Sequence, residues 1–540
     1  MSGPFTHTKL NRRRLLILAG TASLGVLTYS FLKERYKSIR KFKILKDENS
    51  ARGHLVREEF DANQIHSSTE VETLIVGGGI SGLTTAYFLD QSKKSNYKIL
   101  EADQRPGGNS ASGGNEVSQF PLGAHYLPII RNDDAALMSF LVDIGVVTGF
   151  KNDLPIYNEE FLCQVPSERL FIKGRWQEGL VPQYAGSVTE LAMITEFLAL
   201  TKKLRGQKGR DGRYLFTIPL DKSSQDVEWI ELDRISFRDY LDRKELRGEY
   251  LNWYINYCCR DDFGIDAGQT SAWAGLHYFC SRNGKAANAE SQAVLTWPQG
   301  NGFLVQQLVA KLSQKIQTEA TVRKVVKKDH GYEVYYSDGE LNTHLINCKN
   351  LVYAIPKAVV SRIQPELKFN HKAESYPWIV ANIKLMRAAL EEKTALNWDN
   401  VRFGSEALGY VNSCHQLLQQ NAEEINITFY YSFSAKTPTE LRKELSQRNE
   451  NELFDLILQE LVKMHPHIES SISAVSLKIH GHGMVAPKPG YIWDKRIQNR
   501  DQEPAGLIFA HTERAGISIF EEAFHQGLLA AQKLLNGKTV

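Results

Sequence analysis

Several apolar runs in the chain are followed directly by glycines or acids. The run that precedes the glycine-rich turn after residue 76 is the most informative. Residues 74–76 predict a buried strand, because three apolar residues precede a glycine-rich turn. The apolar positions over 80–89 predict a helix after this turn, and 99–100 belong to the next predicted strand. The pattern therefore predicts a strand–turn–helix–strand unit, which is typical of a parallel α/β sheet.

The turn carries glycines at its first, third and sixth positions, Gly77, Gly79 and Gly82. The first permits a tight turn, the second lets the backbone approach a pyrophosphate, and the third permits close helix–strand packing. Ser81 lies in the first helical turn, whose N–H groups and dipole favour a phosphate. Glu101 ends the next strand, where an acid binds ribose hydroxyls. Together these residues predict a dinucleotide site.

A glycine doublet, Gly107 and Gly108, narrows the choice of dinucleotide. With its flanking residues it resembles the doublet of the FAD-dependent superfamily that contains flavin amine oxidases, protoporphyrinogen oxidases and phytoene desaturases. NAD-dependent dehydrogenases lack this doublet, and an ordinary glycine turn is the alternative. The resemblance implies FAD contacts at Ala102, Arg105, Gly107, Gly108 and Asn109, and in a later loop at Gly123, Ala124 and His125.

Four later segments, 296–302, 321–326, 351–356 and 507–513, resemble further motifs of this superfamily in the same order. The resemblance places Val325 on a strand that covers the adenosine, and Glu513 at the ribityl or diphosphate region. It also implies that the N-terminus of a helix over 520–534 faces the flavin. His511 stands where the family commonly has glycine, so an unusual backbone angle is expected there.

These motifs predict an α/β protein with a Rossmann-like FAD-binding domain built from discontinuous segments and an inserted α+β substrate domain. The FAD-binding parts are expected at 71–126, 296–356 and 481–540, and the substrate parts at 127–295 and 357–480.

The predicted substrate segments contain few specific signals. Aromatic residues are frequent between Tyr250 and Tyr278, and we interpret them as core in preference to a binding box. Asp261 and Asp262 could bind a cationic substrate or cap a helix, and capping is the preferred interpretation. Apolar and polar residues alternate over 378–385 and 425–433, which predicts antiparallel strands. One face of their sheet would cover the substrate cavity.

Two departures from the flavin amine oxidases concern the substrate side. Many of those enzymes place a lysine near flavin N5. Here the best-matching position is Ala381, and Lys384 is expected on the opposite face of the strand. Their aromatic cage would fall near Ile519 and at His482 and Gly483, and none of these residues is Tyr or Trp.

The resemblance leaves the reaction open between three classes. These are hydride transfer to flavin N5 in amine or amino-acid oxidation, desaturation of an apolar isoprenoid-like molecule, and flavin use without net redox, as in sugar mutases. Oxygen or a quinone is the expected electron acceptor. His125, His482 and His511 are candidate catalytic groups by residue type. The cysteine that attaches flavin in some relatives is missing from its expected loop, so FAD is expected to be non-covalent, with His482 as the alternative nucleophile.

The six cysteines fit no zinc or disulfide framework and are expected to be small buried residues, with no metal site. The net charge of +3 arises at the N-terminus, where residues 1–46 hold eleven Lys or Arg and one acid. The remaining residues carry −7, which argues against a nucleic-acid partner.

Arg12 and Arg13 precede an uncharged apolar stretch over 15–32. This pattern resembles a twin-arginine export signal, and eighteen residues span roughly 27 Å as a helix, enough for a short anchor. Residues 1–32 are therefore expected to be a signal or membrane anchor, and 33–70 a linker. The expected location is periplasmic or membrane-tethered, with the cytoplasmic face of the membrane as the alternative.

Overall fold

We describe a computed structural model over residues 42–46, 50–62, 64–183, 187–369, 373–390, 396–417, 422–494 and 503–536. Residues Ile44–Val540 form one compact unit. The other unit, Met1–Lys43, lies almost entirely outside the described residues, and with it the predicted export signal over 1–32. Within the described ranges, no helix is long and apolar enough to cross a membrane.

The described strands are β1 Lys43–Lys46, β2 Ile65–Val76, β3 Tyr97–Leu100, β4 Ser112–Gly114, β5 Gln119–Pro121, β6 Tyr126–Pro128, β7 Val147–Lys151, β8 Leu154–Tyr157, β9 Glu168–Ile172, β10 Arg175–Glu178, β11 Val294–Thr296, β12 Ile316–Gln317, β13 Thr321–Lys328, β14 Gly331–Ser337, β15 Thr343–Tyr353, β16 Ser375–Met386, β17 Asp399–Arg402, β18 Gly409–Asn412, β19 Glu424–Ser432, β20 Ile472–Val485 and β21 Leu507–Phe509. The described α-helices are α1 Ser50–His54, α2 Ile80–Gln91, α3 Ala135–Asp143, α4 Val188–Arg205, α5 Val227–Ile230, α6 Phe237–Arg243, α7 Glu249–Phe263, α8 Ala272–Ser281, α9 Gly302–Leu312, α10 Lys357–Ile363, α11 Pro438–Gln447, α12 Glu450–Met464 and α13 Phe520–Asn536.

The first large sheet is assembled from three distant parts of the chain. Its strand order is β12-β3-β2-β15-β14-β13, and β21 also pairs with β15. The pairs of β2 with β3 and β15, and of β15 with β21, are parallel. Helices α2 and α13 pack closely. A Cβ atom at Gly527 would lie only 2.4 Å from the Ser81 carbonyl oxygen, so the contact requires glycine at this position. The discontinuous α/β domain is thereby confirmed.

The second large sheet joins both predicted substrate segments. Its order is β1-β20-β16-β19-β18-β17-β9-β10. The central strands β16, β19 and β20 are antiparallel, as the alternating sequence predicts. One face of β16 is apolar through Ile379 and Ile383, which are fully buried. The opposite face carries the side chains that reach the site described below.

The predicted linker over 33–70 is wrong in part. Within it the structure contains β1, α1 and the first six residues of β2. Strand β2 begins as early as Ile65 because β15 offers a parallel partner along nearly its whole length. Strands β14 and β15 are joined by residues 338–342, where the Asp338 carboxylate accepts the N–H groups of Glu340 and Asn342.

Five of the six cysteines are buried, and Cys163 is half-buried. Burial raises the pKa of the Cys259 thiol to about 12, so this side chain stays protonated. The expectation of small buried residues is confirmed for these five.

Candidate functional site

A cavity of about 360 Å³ is lined by the glycine turn and by residues from both large sheets. Of the sequence-predicted cofactor and catalytic residues, it is lined by Gly77, Gly79, Ser81, Glu101, Gly107, Gly108, Asn109, Gly123, Ala124, His125, His482 and His511. Asn109 joins the doublet to two other parts of the site. Its side-chain amide donates to the Gly483 carbonyl, and its backbone carbonyl accepts the Ala124 N–H of the later loop at 2.8 Å.

The glycine turn leaves open space where a phosphate would lie. Gly77 has φ +105°, and a side chain there would meet the Ala354 carbonyl oxygen at 2.6 Å. At Gly82 a Cβ atom would lie 2.0 Å from the Gly77 oxygen. In contrast, a Cβ atom at Gly79 would meet nothing within 4 Å. Gly79 is also the N-cap residue of α2, and no side chain at this position caps the N–H groups of the first helical turn. The N-terminus of α2 is therefore accessible to an anion.

Glu101 lies at the end of β3 beside this turn. Its carboxylate accepts the Gly78 N–H at 2.7 Å and the Asp103 N–H at 2.8 Å. Burial raises the pKa of Glu101. An ionised carboxylate can accept about four hydrogen bonds, so acceptor capacity remains for ribose hydroxyls. The Gly107 N–H donates to the Gly78 carbonyl at 2.8 Å, which holds the doublet against the turn.

Five predicted cofactor residues do not line the cavity in the described structure: Gly82, Ala102, Arg105, Val325 and Glu513. Gly82 lies under the turn, and Ala102 follows Glu101 directly. The Arg105 guanidinium donates to the Ser112 carbonyl at 3.4 Å. Val325 is a core residue of the first sheet. The buried Glu513 carboxylate accepts the Lys357 N–H at 2.9 Å, while its neighbour Thr512 lines the cavity.

The three candidate histidines are held in neutral form by burial. Burial lowers the pKa of His125 and of His482 to about 4, and lowers the pKa of His511 as well. The expected unusual backbone angle at His511 is wrong, since this residue is extended, with φ −135° and ψ 147°. An extended backbone accepts a side chain, which explains why histidine can replace glycine there.

Strand β16 presents Trp378 and Val380 to the cavity. Because successive side chains alternate, Ala381 points to the other face, where it is fully buried. Ala381 is therefore the wrong position for the family's lysine, although no described lysine lines the cavity. Lys384 lies on the same face as Val380, but it pairs with Glu424 at 3.0 Å and also with Glu116.

The capping interpretation of Asp261 and Asp262 is wrong. Both residues lie in the last turn of α7, which begins far away at Glu249, and both line the cavity. The Arg282 guanidinium donates to both Asp262 oxygens at 2.7 Å. Asp261 has no hydrogen bond or ion pair among the described residues. Burial, reinforced by the charge of Asp262, raises the pKa of Asp261 to about 7.

An aromatic wall, missed at the level of sequence, faces these acids. The His125 ring lies 4.7 Å from Tyr430 and 5.2 Å from Tyr126, measured between ring centroids. Trp378 also lines the cavity, as does Glu521, whose pKa is raised to about 7 by burial. The face alternation of β16 and β19 could have indicated Trp378 and Tyr430, since they are cross-strand neighbours two positions apart.

The three positions that match the aromatic cage of the flavin amine oxidases also line the cavity. Ile519, His482 and Gly483 all line it, so the aromatic surface comes from other elements in this chain. The aromatic residues of α7 and α8 are mostly core, as interpreted from the sequence, because Trp253 and Trp273 are buried.

Comparison with protein families gives a match to the flavin containing amine oxidoreductases over residues 80–535. The chain belongs to this family. Its members are FAD-dependent oxidoreductases, and the open turn at Gly79 with the partly satisfied Glu101 carboxylate fits a bound FAD. No curated protein matches the chain in a sequence comparison.

Solved structures of similar fold share little sequence with this chain. Putrescine oxidase bound to putrescine has a TM-score of 0.59 at 14% identity, covering 87% of this chain and 100% of the oxidase. Cyclohexylamine oxidase from Brevibacterium oxydans IH-35A has a TM-score of 0.59 at 13% identity, covering 86% and 100%. A protein from Exiguobacterium sp. 255-15 with a provisional assignment as a protoporphyrinogen oxidase has 0.59 at 16%, covering 87% and 99%. These similarities support the shared fold.

Proposed function

We propose that this flavoenzyme oxidises an amine by hydride transfer from the substrate carbon to flavin N5. The observation that carries the proposal is the Asp261 carboxylate, which lines the cavity and forms no hydrogen bond or ion pair with another residue in the described ranges. A substrate ammonium supplies the missing counter-charge. Tyr126 and Tyr430 line the same cavity and offer aromatic surface to a cation.

Asp261 has a second role in this proposal. Only a neutral amine has the free electron pair that assists loss of hydride from the adjacent carbon. With a pKa near 7, the Asp261 carboxylate can bind the ammonium and accept one proton from it. A bound FAD would supply the acceptor for the hydride, which carries one hydrogen nucleus and two electrons, and its loss would leave the neutral amine as an iminium ion. Oxygen or a quinone reoxidises the flavin.

The residues that would hold FAD follow from the geometry. The N-terminus of α2 at Gly79 and Ser81 would face the diphosphate, and Glu101 the ribose. We also propose that FAD binds non-covalently, because the chain has no cysteine in the loop where some relatives attach their flavin.

Anaerobic flavin bleaching tests the proposed reaction. We expect the purified yellow protein to lose its flavin absorbance when mixed with a primary amine, and not with the alcohol of the same carbon skeleton. Peroxide release on admitting air distinguishes an oxidase from a quinone-linked dehydrogenase. Bleaching by a polyene, with none by any amine, would instead establish desaturation.

For the location, we propose export or membrane tethering through residues 1–32, supported by the arginine pair before the apolar stretch. We expect the Arg12→Lys, Arg13→Lys double variant to remain in the cytoplasm, whereas the parent protein is found in the periplasm or membrane fraction. An Arg35→Lys, Arg40→Lys variant is the matched control. If the first variant fractionates like the parent, the export proposal fails.

A further inference from the structure

Helix α13 carries two adjacent carboxyl groups inside the protein, and the proposed reaction uses neither. Glu521 lines the cavity, and Glu522 is fully buried. The Leu220 N–H donates to Glu522 Oε1. Glu522 Oε2 is also buried, and it has no hydrogen-bond partner among the described residues. Because nearly all buried polar atoms in folded proteins are paired, this oxygen indicates a role beyond packing.

The unpaired oxygen determines the charge of Glu522. An ionised carboxylate would place negative charge on Oε2 with no donor to stabilise it, which is costly in a protein interior. A protonated carboxyl group carries its hydrogen on Oε2 and accepts the Leu220 N–H on Oε1, which fits the observed contacts. Burial accordingly raises the pKa of Glu522 to about 8. Glu522 therefore holds a proton at neutral pH.

His525 lies next to both acids on the same helix. It follows Glu521 by four positions and Glu522 by three, and side chains at these spacings are neighbours on a helix surface. Its Nε2 lies 2.9 Å from Oδ2 of Asp221, whose side chain is 32% exposed. An ionised carboxylate can only accept, so Nε2 carries the hydrogen of the neutral ring. Nδ1 then has a lone pair that can take a proton from the interior.

Two further charged groups face these residues from neighbouring elements. Asp134 is the buried N-cap of α3, and Lys222 follows Asp221 and is exposed. The negative charges of Asp221 and Asp134 both raise the pKa of Glu522. No group of acids, histidines or cysteines in the described ranges is arranged to hold a metal ion. A proton is therefore the cation that this cluster is suited to take up and release.

We propose that α13 carries a proton path from the cavity to solvent, formed by Glu521, Glu522 and the His525–Asp221 pair. This inference rests on the proposed amine oxidation, in which each substrate ammonium loses one proton to Asp261 and one hydride to the flavin. The proton on Asp261 must leave before this carboxylate can bind the next ammonium. Glu521 takes it up in the cavity and passes it to Glu522. Glu522 gives its own proton to His525 in exchange, and Asp221 releases one to solvent.

Proton release in a single anaerobic turnover tests the path in the holoenzyme. Stopped-flow in weak buffer with a pH-indicator dye follows flavin bleaching and proton release together, after mixing with a primary amine. In the parent, we expect one proton per reduced flavin, released at the rate of bleaching. Glu522→Gln keeps an acceptor for the Leu220 N–H but has no carboxyl proton. Its first bleaching should stay within about twofold of the parent rate, and its proton release should be at least about tenfold slower.

Infrared spectroscopy tests the stored proton without any substrate. The difference spectrum between the parent and Glu522→Gln, recorded at neutral pH, should contain the carbonyl band of a protonated carboxyl group. If the parent shows no such band, Glu522 is ionised and the path is wrong.

Variants at the exposed end separate a proton path from a structural role. His525→Ala should slow proton release, and free imidazole added to the buffer should restore it, because a structural defect is not repaired by a proton carrier. Glu228→Gln, at an exposed acid on α5, is the matched control and should release its proton at the rate of bleaching. The path is refuted if release in Glu522→Gln keeps pace with bleaching. If no amine bleaches the parent, amine oxidation itself fails, and the path with it.

Discussion

Gly82→Ala is expected to abolish FAD binding, with loss of the yellow flavin absorbance from the purified protein. The new Cβ atom would lie 2.0 Å from the Gly77 carbonyl oxygen, which is backbone and belongs to the turn itself. Relief requires α2 to move away from β2, and the turn that receives the diphosphate then opens. We expect the bound flavin per protein, measured by absorbance after gel filtration, to fall below about a tenth of the parent value.

Gly79→Ala is expected to lower the affinity for FAD without lowering the stability of the fold. Its Cβ atom meets no protein atom within 4 Å, so the flavin-free protein should melt at the parent temperature. The same methyl group would occupy the space where the diphosphate approaches the backbone, and FAD affinity should fall. Gly268→Ala, which also meets nothing within 4 Å but lies far along the chain, should change neither property. If Gly79→Ala retains normal flavin affinity, the diphosphate does not lie over this turn.

Local sequence was sufficient for the cofactor side of the fold. The spacing of Gly77, Gly79 and Gly82 depends on contacts within one strand–turn–helix unit, where a few residues determine the geometry. Glu101 follows from the same unit, because β3 lies directly beside β2. Short-range rules therefore predicted the elements, and they brought the turn and Glu101 to one cavity.

The substrate side depends on contacts that sequence spacing does not reveal. The aromatic run that Asp261 interrupts favours a cap at this residue, yet α7 continues through it to Phe263. The sequence match for the family's lysine falls on Ala381, which faces away from the cavity, because a single residue of register reverses every side chain of a strand. An irregularity in the pairing of β16 with β20 lies close by, between Tyr376 and Trp378. Irregularities of this kind are set by the neighbouring strand.

Asp261→Asn should cause the largest loss of activity among the substrate-side variants. Removing one partner of a buried charge pair costs about 2–4 kcal/mol, so kcat/KM for an amine should fall roughly 30- to 1000-fold. FAD content should not change, because the first sheet supplies the turn and Glu101. Asp329→Asn, at an exposed site, is the matched control and should leave kcat/KM at the parent value.

The pH profile distinguishes the proposed role of Asp261 from a merely structural one. Burial raises the pKa of Asp261 to about 7, so the carboxylate is neutral below this pH and cannot attract an ammonium. The parent's kcat/KM should therefore rise as the pH increases through about 7, because the carboxylate becomes charged there while the free amine is still an ammonium ion. The ratio of parent to Asp261→Asn should thus be close to one near pH 5 and reach its full value above pH 8. A ratio that is constant over this range would show that the charge of Asp261 does not bind the substrate.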